Sequence, residues 1–256
     1  MKTRTFFCML MMTLGAILLF FSGCSGESVP PSVLLEESVE KALAGDWASS
    51  GKLAAKVLDQ DKNNVDALLL KAVAESHLGN GKSALDHVLQ AASLEKESFL
   101  CQYIKGMLLY RDGKHALAVV PLQEALRLRP GDVNTLVLLA KSTYALKKYD
   151  SAAGYFARIA QNERYRRNAL AWNGIGVCLA HSSPAKALPY FKAAQRIAPE
   201  EALTFFNMAV LHDGYLRNPP LAVRAYERFL EQSIGKMELD DLRARAELRL
   251  DSLKSR

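Results

Sequence analysis

The chain has 256 residues, half of them hydrophobic, which is enough to bury a sizeable core and excludes a disordered chain. Its net charge is +6, and Lys2 and Arg4 in the first few residues supply two of those charges. The remaining excess is too small to argue for nucleic acid as a partner. The four cysteines, Cys8, Cys24, Cys101 and Cys178, form no CxxC pair, so neither a disulfide framework nor a metal cluster is expected.

In chain order, the first element is apolar. Lys2 and Arg4 precede "FFCMLMMTLGAILLFF", Phe6 to Phe21, followed by the small residues Ser22 and Gly23. This is the layout of a secretory signal peptide, over residues 1–23. As a helix the stretch would reach only about 24 Å at roughly 1.5 Å per residue, short of the roughly 30 Å of a bilayer core.

Cys24, where the apolar run ends, is a stray thiol, half of a disulfide or an attachment point. Phe21-Ser22-Gly23-Cys24 resembles the bacterial lipobox, with Phe21 where leucine is usual. The resemblance implies lipidation at Cys24, palmitate among the acyl chains, and anchoring in the bacterial envelope. Ser25 after the cysteine favours the periplasmic face of the outer membrane. An ordinary cut after Gly26 is the alternative. Residues 24–32 read as a short tether, because Pro30-Pro31 favours extended structure.

Residues 33–235 repeat. Gly45, Gly79, Gly113 and Lys147 follow one another at intervals of 34, as do Ala84, Ala118 and Ala152, and Val57, Ala91, Ala125 and Ile159. Each unit has two blocks of helical periodicity with a break between them. In "FLCQYIKGMLLYRDGKHALAVVPLQEALRLRPGD" Tyr103, Met107 and Tyr110 belong to a first helix, and Ala118, Leu122 and Ala125 to a second. Gly113 ends the first and Pro130 stops the second. This predicts six helical hairpins, at 31–64, 65–98, 99–132, 133–166, 167–201 and 202–235. The first and last are the least regular: Ser50 and Gly51 stand where the second helix should open on a small apolar residue, and Asn218-Pro219-Pro220 fills the last turn. Residues 236–256 read as a capping helix, with Leu239, Leu242, Ala246, Leu250 and Leu253 on one face.

The third unit, together with Leu136 to Ile159 and Ala171 to Pro199, resembles the tetratricopeptide repeat. The residues that carry this are Trp172 and Gly176, Gly106 and Ala140, Ala118, Ala152 and Ala187, Phe156 and Phe191, and Pro130 and Pro199. The resemblance implies an all-α, right-handed superhelical solenoid whose first helices line a concave groove for a protein or peptide. Carried onto this sequence, the groove candidates are Tyr103, Met107, Tyr110 and Arg111, then Asn134, Val137, Lys141 and Tyr144, then Asn173, Val177 and His181, and Asn207. Tyr110 and Tyr144 suit packing between repeats equally well.

Catalytic patterns are missing from the sequence: the five histidines have no ligand spacing, and there is no GxSxG elbow. The expectation is a non-enzymatic scaffold without cofactor or metal. Gly79-Asn80-Gly81 reads as turn geometry or as a phosphate cradle, and Arg158, Arg164, Arg166 and Arg167 as a solvated turn or as a site for an acidic partner or anionic lipid. The plan of lipidated cysteine, tether and six units resembles pilotin-like lipoproteins of type IV pilus assembly. A glycan-export or cell-wall accessory is the alternative.

Overall fold

Small residues at one end of the repeat and turn-forming residues at the other dictate helical hairpins, and these are what form. A computed structural model of the chain describes residues 29–165 and 167–255; the stretch read as a signal peptide and Cys24 lie outside them, as does Arg166. The described residues contain no strand. They fold as α1 (Pro31–Leu43), α2 (Trp47–Gln60), α3 (Val65–His77), α4 (Gly81–Leu94), α5 (Phe99–Arg111), α6 (His115–Leu128), α7 (Val133–Ala145), α8 (Tyr149–Gln161), α9 (Ala169–Ser182), α10 (Pro184–Ile197), α11 (Ala202–Val210), α12 (Pro219–Gln232) and α13 (Asp240–Lys254). A π-helical turn, Leu211–Tyr215, continues α11, and a 3-10 turn, Met237–Leu239, leads into α13. Helices one to twelve pair in sequence as six hairpins. The first helix opens at Pro31, two residues inside the stretch read as tether, because proline suits the first position of a helix.

The period is written into the turns. Gly45, Gly79 and Gly113 have φ of 80°, 88° and 72°, and Lys147, the next in the series, holds 58°. The chain reverses there through a left-handed residue, a conformation that glycine adopts without steric cost. Gly79 thus sits in the turn between α3 and α4, and Gly81 opens α4. The entry to each following hairpin is capped by a side chain: Asn64 accepts from the amide of Ala67 at 3.0 Å and Asp132 from that of Thr135 at 2.7 Å. Each such cap contributes about 1 kcal/mol.

The chain forms two compact units, divided between Arg129 and Pro130. The first holds hairpins one to three. Its core includes Leu34, Leu35, Val39, Ala54, Val57 and Leu70. The irregular first hairpin follows the common rule with different atoms: Ser38 and Ser50 are buried, and the Ser38 hydroxyl donates to the Ser50 carbonyl at 2.9 Å and lies 3.1 Å from its hydroxyl. Two serines whose polar atoms satisfy each other replace the small apolar residues used elsewhere.

The second unit holds hairpins four to six and α13. Its middle helix, α9, is gripped by an aromatic ring on either side. A Cβ added to Gly174 would fall 2.7 Å from the Phe156 ring, and one added to Gly176 2.6 Å from the Phe191 ring. Glycine is required at both places by close packing. At the end of this unit α13 and the 3-10 turn before it bury Leu239, Ala246, Leu250 and Leu253 against Phe205, Tyr226 and Phe229.

Candidate functional site

The candidate residues divide between the two units. In the first, α5 carries four of them. Tyr103 is only 8% exposed and stacks on Phe99 at 5.7 Å, so this ring is core packing and not available surface. Phe99 lies one turn earlier on the same helix, and Tyr103 offers little surface to a groove. Met107 and Tyr110 are half-buried, Tyr110 leaning on His115 at 5.3 Å. Arg111 is exposed and lines, with Lys82 and Lys114, a cavity of about 550 Å³ beside the Gly79–Gly81 turn.

In the second unit the candidates lie on α7, α9 and α11. Asn134 and Lys141 are exposed, and Val137, Tyr144, Asn173, Val177 and Asn207 are half-buried. Two pairs come into contact. The Asn207 side-chain amide donates to the Asn173 carbonyl oxygen at 3.2 Å. Two turns further along α9, the His181 ring sits 3.0 Å through Nε2 from the Tyr144 hydroxyl and 2.9 Å through Nδ1 from the Tyr215 hydroxyl. Tyr149 stacks flat on the same imidazole, 4.3 Å between centroids and 6° between planes.

Tyr149 and Tyr215 were not among the sequence candidates. A signal existed for Tyr215, which follows His181 by 34, the repeat length. The π-helical turn brings it there. Within that turn Asp213 points the other way and is held by Arg249 of α13, at 2.5 and 2.7 Å to its two oxygens. The first unit has an equivalent of the Tyr149–His181 stack: Trp47, which opens α2, lies on His77, which closes α3, at 3.7 Å and 8°.

The arginine-rich stretch runs from the end of α8 into the connection before α9. Arg158 donates to the Pro130 carbonyl at 2.9 Å, whereas Arg164 and Arg167 line, with Asn173, a cavity of about 520 Å³. Cys101 and Cys178 are free, buried thiols, and burial pushes Cys178 up to about 12, out of the range of a reactive thiolate. Among the described residues, no group of three or more His, Cys, Asp or Glu side chains is placed to hold a metal ion. No helix of the described residues is long and apolar enough to cross a membrane.

Three histidines are held below their ordinary pKa: His181 and His212 chiefly by burial, His77 by burial and then by Arg111. His212 is the most enclosed, 5% exposed, with Lys192 adding a like charge. A histidine whose folded pKa is depressed binds its proton more readily in the unfolded chain. It therefore supports the fold fully above about pH 6.5, the unfolded value, and that support is lost as pH falls through the folded value. Thermal melts of the chain should drop between pH 7 and pH 5, and His212→Gln should reduce the drop. An identical pH dependence in the variant would remove His212 as its source.

A comparison of the sequence with family models matches residues 137–202 to the tetratricopeptide repeat. No match is found among curated proteins. Among solved structures the chain is similar to pilF of Pseudomonas aeruginosa, at 16% identity and a TM-score of 0.65, covering 84% of this chain and 97% of that one. It is also similar to YrrB, described as a TPR protein with an unusual peptide-binding site, at 20% identity and a TM-score of 0.59 over 72% of this chain and 94% of that one. MamA matches at 22% identity and a TM-score of 0.58, over 65% and 96%. Residues 137–202 thus match the tetratricopeptide repeat, and the hairpins before and after them have the same helical-hairpin fold.

Proposed function

We propose that this chain is a non-enzymatic scaffold, lipid-anchored in a bacterial envelope, that holds a partner protein by laying a peptide segment of it across the first helices of hairpins four to six. The observation that carries the reading is the register of α9 with α11 and the π turn. The Asn173–Asn207 pair stands at one end of this face, the His181–Tyr215 pair at the other, and half-buried Val177 lies between. Side-chain amides offer the donors and acceptors that an extended backbone needs, and the apolar middle gives contact area. Similarity of fold to YrrB, with its peptide-binding site, and to pilF of Pseudomonas aeruginosa is consistent with it.

The anchor rests on the sequence around Cys24. With lipid there, only Ser25 to Pro30 would separate it from α1, a reach of about 20 Å at most. More than one acyl chain makes such attachment stable. The partner would then be held next to the membrane, with the periplasmic face of the outer membrane favoured. Exposed aromatic rings on the same face also suit a sugar, and this supports the second reading, a glycan-export or cell-wall accessory.

One experiment addresses both halves of the proposal. Cells carrying the wild type, Cys24→Ser, or Asn173→Ala with Asn207→Ala are fractionated, and bound proteins are captured from each. Cys24→Ser should leave the membrane fraction with changed mass, and the double asparagine variant should stay there and lose its partner. A Cys24→Ser chain that remains membrane-bound at unchanged mass defeats the anchor. Capture that is unaffected in a folded double variant defeats the binding face.

A further inference from the structure

The cluster around His181 is more organised than packing between repeats requires. Four rings from four different elements meet: Tyr144 at the end of α7, Tyr149 at the start of α8, His181 at the end of α9, and Tyr215 in the π turn. Tyr149 covers one face of the imidazole, and the hydroxyls of Tyr144 and Tyr215 hold both nitrogens. The cluster is nonetheless open, with His181 exposed and Tyr215 37% exposed. Rings held rigid at a surface lose little freedom on binding, which is why tyrosine is frequent among residues that dominate interfaces.

Three cations adjoin the cluster along the chain. Lys147 and Lys148 form the turn whose two ends are Tyr144 and Tyr149, and Arg217 follows Tyr215 by two residues. All three are exposed and none is in an ion pair among the described residues. The acid beside them in sequence is Asp150; Asp213 is turned to Arg249.

We infer that this cluster is the anchor point for an aromatic side chain flanked by aspartate or glutamate in the bound peptide. The inference rests on the peptide-binding reading above and deepens it. The aromatic ring packs against the open tyrosine and histidine edges, and the flanking carboxylates meet Lys147, Lys148 and Arg217. A basic peptide would be repelled by the same three cations. The spacing fits: His181 lies eight residues beyond Asn173 on α9, about 12 Å along a helix, which an extended peptide covers in three to four residues. A peptide backbone held at Asn173 and Asn207 thus brings its aromatic residue to the cluster three or four positions away.

The test selects a random dodecapeptide phage library on the immobilised full chain, on Tyr149→Ala and on Lys147→Glu with Lys148→Glu, after thermal melts have established that each variant is folded. The wild type should enrich an aromatic residue with acidic neighbours. Tyr149→Ala should lose that aromatic and bind the selected wild-type peptide about tenfold more weakly. The charge-reversed variant should keep the aromatic and lose the acidic neighbours. Selection of a different consensus that depends on Asn173 and Asn207 but not on the cluster would overturn this inference and leave peptide binding standing. Failure to enrich any peptide would overturn both, as would cluster-dependent binding of acidic glycans alone. Should Tyr149→Ala be unfolded, the lysine variant by itself decides, because its changes lie on exposed turn residues.

Discussion

Gly176→Ala is expected to destabilise the chain by about 1–3 kcal/mol, although the same change within a helix ordinarily stabilises by roughly 0.5–1 kcal/mol. The added Cβ would lie 2.6 Å from Cε1 and 2.7 Å from Cδ1 of Phe191. That ring is 1% exposed and has no open side to move into. Truncating the other partner, Phe191→Ala, should cost about 3–5 kcal/mol through lost transfer energy and the cavity left behind. Because both changes act on one contact, the double variant should be less damaged than the sum of the singles, the methyl group added at Gly176 filling part of the space the ring vacates. Urea denaturation of the four chains measures this. A stabilising Gly176→Ala, or strict additivity, would show that the two helices do not meet as closely as described.

Ending the chain after Gly235 is the second large effect. The missing segment contains Leu239, Leu250 and Leu253, each contributing roughly 1.5–3 kcal/mol on burial, and it covers Phe205, Tyr226 and Phe229. The loss should be on the order of 5 kcal/mol, with a fall in soluble yield and binding of hydrophobic dye as the apolar end of the stack is uncovered. The cut also removes Arg249 from Asp213, a carboxylate whose side chain is 11% exposed. A charge-assisted pair of this kind contributes about 2 kcal/mol, so Arg249→Ala should reproduce only a minor part of the truncation. If the truncated chain melted where the full chain does, α13 would not be a cap. If Arg249→Ala equalled the truncation, the ion pair and not the leucines would hold α13 in place.

The two effects also mark where sequence reading reaches its limit. Gly106, Ala140 and Gly176 show in the sequence that something must approach closely, since glycine in particular is otherwise a poor choice inside a helix. Which atoms approach is visible only in three dimensions: Leu122 for Gly106, Phe191 for Gly176, and Phe156 of the preceding hairpin for Gly174. The first hairpin looked irregular because Ser50 and Gly51 stand where other second helices open on a small apolar residue, and the structure pairs Ser50 with Ser38. Their mutual hydrogen bonding, not their type, makes them suitable for a buried contact.

The candidate face was legible to the extent that it follows the period. Asn173 and Asn207 are 34 apart, as are His181 and Tyr215, and in a stack of equal hairpins that separation places side chains next to each other. Tyr103, placed in the groove by the resemblance, is 8% exposed and stacks on Phe99 of its own helix. Tyr149 was missed because it belongs to a second helix, whereas the resemblance directs attention to first helices.

The amino-acid sequence alone therefore determined the hairpins, their number and their turns: helical periodicity, left-handed glycines and capping residues are local properties that act over a few residues and repeat with the period. Only the tertiary structure decided that a π turn sends Tyr215 to His181 and Asp213 to Arg249, and that Tyr149 completes the cluster. Those contacts join residues some 30 or more positions apart on different helices, and their geometry depends on how the helices pack, which no local pattern encodes.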